Sequence, residues 1–282
     1  MAIVLGLASA VVYGASDFLG GLAAKRSGAF AVVVWSQFAG LLVLLAAVLV
    51  MSEPVPLGAD LVWGAVGGIG GGSGVVLLYR GLAIGRMSIV APTAAVGAAT
   101  IPILAGLAMG ERPRPLALVG VLVAIAAIGL VSSSGAQDEH DTQRQRRLPA
   151  GLLEGVGAGL GFALFFICLA RTSGQSDLWP LVAARVSIAV AALAGLATRN
   201  SLRPAAGAGP RIAVLGILDM VANLLYVLAA RRGLLSVVAV LVSLYPASTI
   251  VLARFVLHER FTAAQLAGLG AAAAGVALIA AV

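Results

Sequence analysis

Few residues of this chain could do chemistry, and those few lie inside apolar runs. Asp17 stands in Tyr13-Gly14-Ala15-Ser16-Asp17-Phe18, Arg185 in Val182-Ala183-Ala184-Arg185-Val186, and Asp219 in Leu218-Asp219-Met220. An ionisable group at bilayer depth costs several kcal/mol unless it is paired or hydrated, so such residues mark pathways, relays or buried pairs. On a helix, Asp17 would share a face with Tyr13, Ser16 and the glycines Gly20 and Gly21. A lone carboxylate there binds a cationic group or takes up a proton; the alternative is an Asp hydrogen-bonded at a cavity mouth. Asn223 follows Asp219 by one helical turn and Tyr226 by two, which makes a polar stripe suited to substrate contact or to hydrogen bonds between helices. Arg185 is expected either to pair with Asp219 or to receive a substrate carboxylate.

The remaining special residues read as framework. Glu111 and Glu259 each precede an arginine, and both are expected at helix ends, anchoring the interface and capping the next helix. Pro92, Pro102 and Pro246 remove backbone donors inside apolar runs and are candidates for kinks or gating points. The run Gly64, Gly67, Gly68, Gly70, Gly71, Gly72, Gly74 has neither a complete G-x-G-x-x-G nor a Walker lysine. The spacing by four of Gly64, Gly68 and Gly72 instead favours close helix approach. Arg80 and Arg254 are placed to snorkel near helix ends. Trp35, Tyr79, Trp179 and Tyr226 suit interface anchors and cavity walls equally. With two histidines and the single Cys168, no metal cluster, disulfide or cofactor is expected. Without H-E-x-x-H, G-x-S-x-G or paired carboxylates on one helix, no enzyme is expected either.

The elements that carry these residues follow from composition. The 282 residues are 61% hydrophobic and 10% charged, against roughly 45–50% and about 25% in soluble domains. The solvent implied is lipid. The net charge of +7 is spread singly or in pairs between apolar stretches, which excludes the concentrated basic face of a nucleic-acid binder. On the ruler of about 20 apolar residues per span, the chain reads as ten helices near 3–24, 30–51, 60–82, 88–109, 115–134, 150–171, 178–198, 211–231, 235–256 and 262–281. The first, with no basic residue ahead of it, reads as a span rather than a cleaved signal. The period-two alternation of a β-barrel is missing.

A repeat is visible. Glu111-Arg112 and Glu259-Arg260 lie 148 residues apart, and the same offset relates Ser88 to Ser236, Val90 to Val238, Ala91 to Ala239 and Gly120 to Gly268. Residues 1–134 and 150–282 thus form two five-helix units joined by a polar linker, 135–149. Five is odd, so the second unit enters from the opposite face. The fold class expected is all-α, a polytopic membrane protein of about ten transmembrane helices in two inverted five-helix repeats, a transporter architecture. Loop lysines and arginines favour the odd-numbered loops about two to one; the positive-inside rule would then place both termini outside.

In Tyr13–Phe18, the two Glu-Arg helix ends, the Gln265 and Gly268 that follow the second, and Arg185, the chain resembles the EamA-type branch of the drug/metabolite transporter superfamily. Gln37, at the point of the second span equivalent to Arg185, departs from the family's pattern. The resemblance implies a central cavity walled by spans one, three, four, six, eight and nine, and transport of amino acids, metabolites, drugs or nucleotide sugars. It also implies both termini in the cytoplasm, opposite to the loop count. The expected activity is secondary transport of a small solute by alternating access, as an exporter and with protons as the coupling ion. A lipid-carrier flippase is the alternative, with a channel or an intramembrane enzyme behind it. The expected partners are a small-molecule substrate, the lipid bilayer and protons, with no nucleic acid. The chain is expected as a monomer or homodimer in the cytoplasmic membrane of a bacterium.

Overall fold

Apolar runs of this length in lipid must satisfy their own backbone polar groups, and the helix is the structure that does so within one segment. A computed structural model describes all of residues 1–282 except 53, 55, 57, 85, 86, 134–150, 174, 176, 177, 257–262, 281 and 282, together with the side chains of 87–89, 92, 131–133, 250, 253, 254, 265 and 280. The described residues form α1 (Ala2–Ser27), α2 (Ala29–Met51), α3 (Gly58–Ile84), α4 (Met87–Ala108), α5 (Pro115–Ser133), α6 (Leu152–Ala170), α7 (Trp179–Ala184), α8 (Ser187–Ala197), α9 (Gly209–Ala230), α10 (Leu235–Val242), α11 (Tyr245–Val256) and α12 (Ala263–Ala280). These make ten spans, because α7 with α8 and α10 with α11 are each one span broken in the middle. Six spans are long and apolar enough to cross a bilayer by length and composition alone, and four carry shorter apolar stretches. Large side chains such as Leu49, 80% exposed, and Phe255, 74% exposed, face outward, as a lipid-facing belt requires.

The packing repeats between the halves. α1 lies on α9 as α6 lies on α3, and α2 lies on α9 as α7 and α8 lie on α3. The fourth span meets the ninth through α4 and α10, and the fifth meets the tenth through α5 and α12. Each of these pairings maps onto another, or onto itself, when the halves exchange, which is the two-fold relation of an inverted repeat.

The two breaks differ in cause. At Arg185 and Val186 the amides turn to carbonyls three residues back, Arg185 to Val182 at 3.0 Å and Val186 to Ala183 at 3.2 Å. At Ser243 and Leu244 the break precedes Pro246, which has no N–H to offer the carbonyl of Val242, and Ala247 bonds back to Leu244 at 2.9 Å. The kink expected at Pro246 is therefore a full interruption. α4, by contrast, runs continuously through Pro92 and Pro102, and the side chain of Pro92 lies outside the described residues. The second span, α2, is unbroken, so the break at Arg185 has no counterpart in the first half.

Glu111 caps a helix, but not the next one. Gly110, with φ of +91°, ends α4 in the left-handed region open to glycine. The Gly110 amide bonds to Leu107 and the Glu111 amide to Gly106, the paired bonds of a Schellman ending. This turn carries the Glu111 carboxylate back over Gly106 to α10 of the other half, where Oε1 accepts from the Leu235 amide at 2.7 Å and Oε2 from the Ser236 amide at 3.0 Å and its hydroxyl at 2.6 Å. A carboxylate at a helix N-terminus satisfies orphan donors and meets the positive end of the dipole. Glu111→Ala is expected to lower stability by about 1–2 kcal/mol, read as a fall in the thermal midpoint of detergent-solubilised protein. An unchanged midpoint would show that the cap carries no weight. Glu259 lies outside the described residues.

Candidate functional site

The residues that could do chemistry converge where the halves meet. Arg185 sits at the break between α7 and α8 and is 6% exposed. Its Nη1 donates to Asp219 Oδ2 on α9 at 3.1 Å, an ion pair whose side chains are 4% and 14% exposed. The same Nη1 donates to Gln37 Oε1 on α2. Gln37 Nε2 in turn donates to Asp219 Oδ2 at 3.0 Å, and Ser187 Oγ reaches Gln37 Oε1 at 3.5 Å. Gln37 and Arg185 are 148 residues apart, the offset of the repeat. Equivalent positions of the two halves thus touch across the two-fold relation, one as the charge and the other as the amide that holds it. Gln37, which the sequence marks only as a departure from the family's pattern, is part of the pair's support.

The stripe on α9 is half realised. Asn223 Nδ2 donates to the Asp219 carbonyl at 2.6 Å, and its Oδ1 accepts from the Tyr13 hydroxyl on α1 at 2.7 Å. Tyr226 is fully buried; its hydroxyl donates to the Phe166 carbonyl on α6, and its ring packs against that of Phe166 at 4.5 Å. It lies outside the cavity wall. Ser16 also turns away, to the Leu215 carbonyl on α9 at 3.4 Å, and Gly20 abuts the ring of Tyr79.

A central cavity with about 640 Å³ of space free of atoms, its open mouth included, lies beside this cluster. Its charged wall is Asp17, Asp219 and Arg185, and its aromatic wall is Tyr13, Phe162, Phe165, Phe166 and Tyr245. Gly68, Gly71 and Gly72 of α3 form a floor without side chains. Spans two and seven line it as well, through Gln37 and Arg185, which corrects the expected wall there; among the described residues none of the lining comes from α4, whose side chains at 87–89 and 92 lie outside them. The three phenylalanines and Tyr245 had no distinguishing mark in the sequence.

The glycine run packs, as its spacing of four implies. Gly64 and Gly68 abut the Pro180 and Ala184 backbones of α7, and Gly72 abuts Ser187 of α8. Gly67, Gly70, Gly71 and Gly74, on the other side of α3, meet α6 at Cys168, Gly161, Phe165 and Phe162. Among the described residues no group of His, Cys, Asp and Glu could hold a metal ion. Arg80 is exposed near the end of α3, and the side chain of Arg254 lies outside the described residues.

Ten apolar spans in two inverted halves, with a charged cavity between them, define an integral membrane transporter. The family model of the EamA-like transporter family matches the chain twice, over residues 1–133 and 149–281. The chain belongs to that family, whose members carry small solutes across membranes and are not enzymes. A crystal structure of a protein superposes with a TM-score of 0.77 at 19% identity, over 99% of this chain and 96% of its own. That likeness speaks for the fold alone. No curated protein matches the chain.

Proposed function

We propose that this protein is a secondary transporter that exports its solute from a bacterial cell by alternating access, coupled to protons through Asp17. The observation that carries the reading is the Arg185–Gln37–Asp219 cluster. It joins α2 of one half to the break between α7 and α8 and to α9 of the other, and lines the cavity between them. A binding site shared by two halves is what rocking of one half against the other would expose to either side in turn. The broken spans support this reading. Arg185 Nε and Nη2 lie at one break and Ser243 Oγ at the other, all buried with no hydrogen-bond partner among the described residues. Buried polar atoms left unmatched are costly, and such costs gather at elements that have a second arrangement.

The test is proton-coupled flux in proteoliposomes, read by an internal pH dye as solutes from a panel of amines, amino acids and nucleotide sugars are added under an imposed pH gradient. Saturable, gradient-dependent flux is expected. Asp17→Asn should reduce the gradient-dependent part at least about tenfold, corresponding to about 1.4 kcal/mol, while eluting as wild type in gel filtration. Flux that is linear in solute, or equal for Asp17→Asn at every gradient, would sink the reading. Everted vesicles settle the direction, since an exporter accumulates solute inside them.

A further inference from the structure

We infer that the solute is a monovalent organic cation with an aromatic or bulky apolar body, rather than a zwitterion or an anion. The inference rests on the reading of the cavity as the transport site and narrows what enters it.

The argument is a balance of charges and of free hydrogen-bonding atoms. The charged wall comprises two carboxylates, Asp17 and Asp219, and one guanidinium, Arg185. Arg185 is already held by Asp219 and Gln37, and its remaining nitrogens, Nε and Nη2, are buried. The guanidinium edge that would clasp a carboxylate in two parallel bonds is therefore closed to the cavity, and Gly40 and Gly216 of α2 and α9 pack at Arg185's side of the site. Asp17, on the same cavity wall, has neither a hydrogen bond nor an ion pair among the described residues. Asp219 has Oδ2 engaged twice, which leaves Oδ1 to accept. With Asp17 ionised, as it is after releasing its proton, the free charged atoms in the wall are acceptors, and the wall carries one negative charge more than positive. A ligand that neutralises it brings one positive charge and N–H donors.

The other walls fit the rest of such a molecule. The hydroxyl of Tyr13 is committed to Asn223 and that of Tyr245 reaches the Ala91 carbonyl at 3.4 Å. With Phe162, Phe165 and Phe166 they supply ring surface. Aromatic faces attract cations and accept flat apolar bodies, and the glycine floor of α3 leaves room for one.

The test uses three probes with one body and three charge states: 2-phenylethylamine as the cation, phenylalanine as the zwitterion and 3-phenylpropionate as the anion. Binding to purified full-length protein in nanodiscs is measured by isothermal titration calorimetry at neutral pH. The amine is expected to bind at least tenfold more tightly than phenylalanine, with no binding of the propionate. Asp17→Asn should bring the amine within about twofold of phenylalanine, and Asp17→Glu should restore the preference, which separates charge from misfolding. Phenylalanine or the propionate binding as tightly as the amine overturns the inference, as does a preference that survives Asp17→Asn or an absence of binding by all three. Because binding is read without flux, the two readings fail separately. Amine binding without proton-coupled flux leaves the cation class standing and removes the reading of export coupled through Asp17, whereas proton-coupled flux of an anion or zwitterion does the reverse.

Discussion

Asp219→Ala is expected to cost about 3–5 kcal/mol of stability, enough to prevent accumulation of a marginal membrane protein, while Arg185→Met costs about 1–3 kcal/mol. The asymmetry follows from what each change leaves behind. Without Asp219, the buried guanidinium keeps its charge, having no means of shedding it, and faces only the Gln37 carbonyl oxygen. Without Arg185, Gln37 Nε2 still donates to the Asp219 carboxylate at 3.0 Å, and that side chain, 14% exposed against 4% for Arg185, keeps contact with the cavity. Replacing both together, Arg185→Met with Asp219→Leu, removes the desolvation cost along with the attraction, and buried pairs exchanged for apolar residues of similar volume are commonly neutral or better. The double variant should therefore regain most of the thermal midpoint lost in Asp219→Ala. It should not regain transport, because two of the three charged side chains of the lining are gone. Thermal unfolding of wild type, Arg185→Met, Asp219→Leu and the double variant in one detergent closes the cycle, with Asp219→Ala measured beside them. Equal losses in the two single variants, or a double variant as unstable as their sum, would mean that the pair does not hold the site in the way described.

This cluster also shows where sequence reading reached and where it stopped. Ten spans were legible because lipid imposes one length and one composition on each, and the ends found lie within a few residues of those expected. Pairing of Arg185 with Asp219 was legible as one of two alternatives, since two opposite charges at bilayer depth have few other partners. Gln37 stood out in the sequence only as a departure from the family's pattern, because an amide in an apolar run carries no sign of whom it serves; the repeat offset placed it opposite Arg185 all the same. Helical periodicity put Tyr226 on the face of Asp219, but two turns is about 10.5 Å of rise, which takes the hydroxyl past the cavity to the Phe166 carbonyl. Ser16 sits one residue from Asp17, about 100° around the helix, and so faces α9 instead of the cavity. Pro246 announced the break in the ninth span. Nothing announced the break at Arg185, because Ala183-Ala184-Arg185-Val186 is ordinary helical sequence and the interruption arises from tertiary packing.

Gly68→Ala is expected to abolish the folded protein, the largest effect predicted for the loss of no interaction at all. A Cβ at Gly68 would fall on the backbone carbonyl of Ala184, and backbone, unlike a flexible side chain, has no rotamer by which to yield. α3 and α7 would have to separate along their length, because Gly64 is pressed against Pro180 and Gly72 against Ser187 on the same stripe. Separation there moves Ala184, and Arg185 is the next residue, so the ion pair to Asp219 and the bond to Gln37 would be disturbed with it. Overpacking of a close interface ordinarily costs about 1–3 kcal/mol and sometimes more; here the contact is backbone to backbone at three successive turns, which puts the site at the upper end. The control is Gly129 in α5, whose added Cβ would meet nothing within 4 Å. Gly129→Ala removes the backbone freedom that glycine brings to a helix interior and should raise stability by about 0.5–1 kcal/mol. Fluorescence-detected size-exclusion profiles of the two variants, followed by thermal midpoints where protein is recovered, give the comparison. A monodisperse Gly68→Ala protein with a normal midpoint would show that α3 and α7 are free to slide apart. The glycine stripe would then be a bearing on which the seventh span moves, in place of the rigid contact that fixes Arg185 over the cavity.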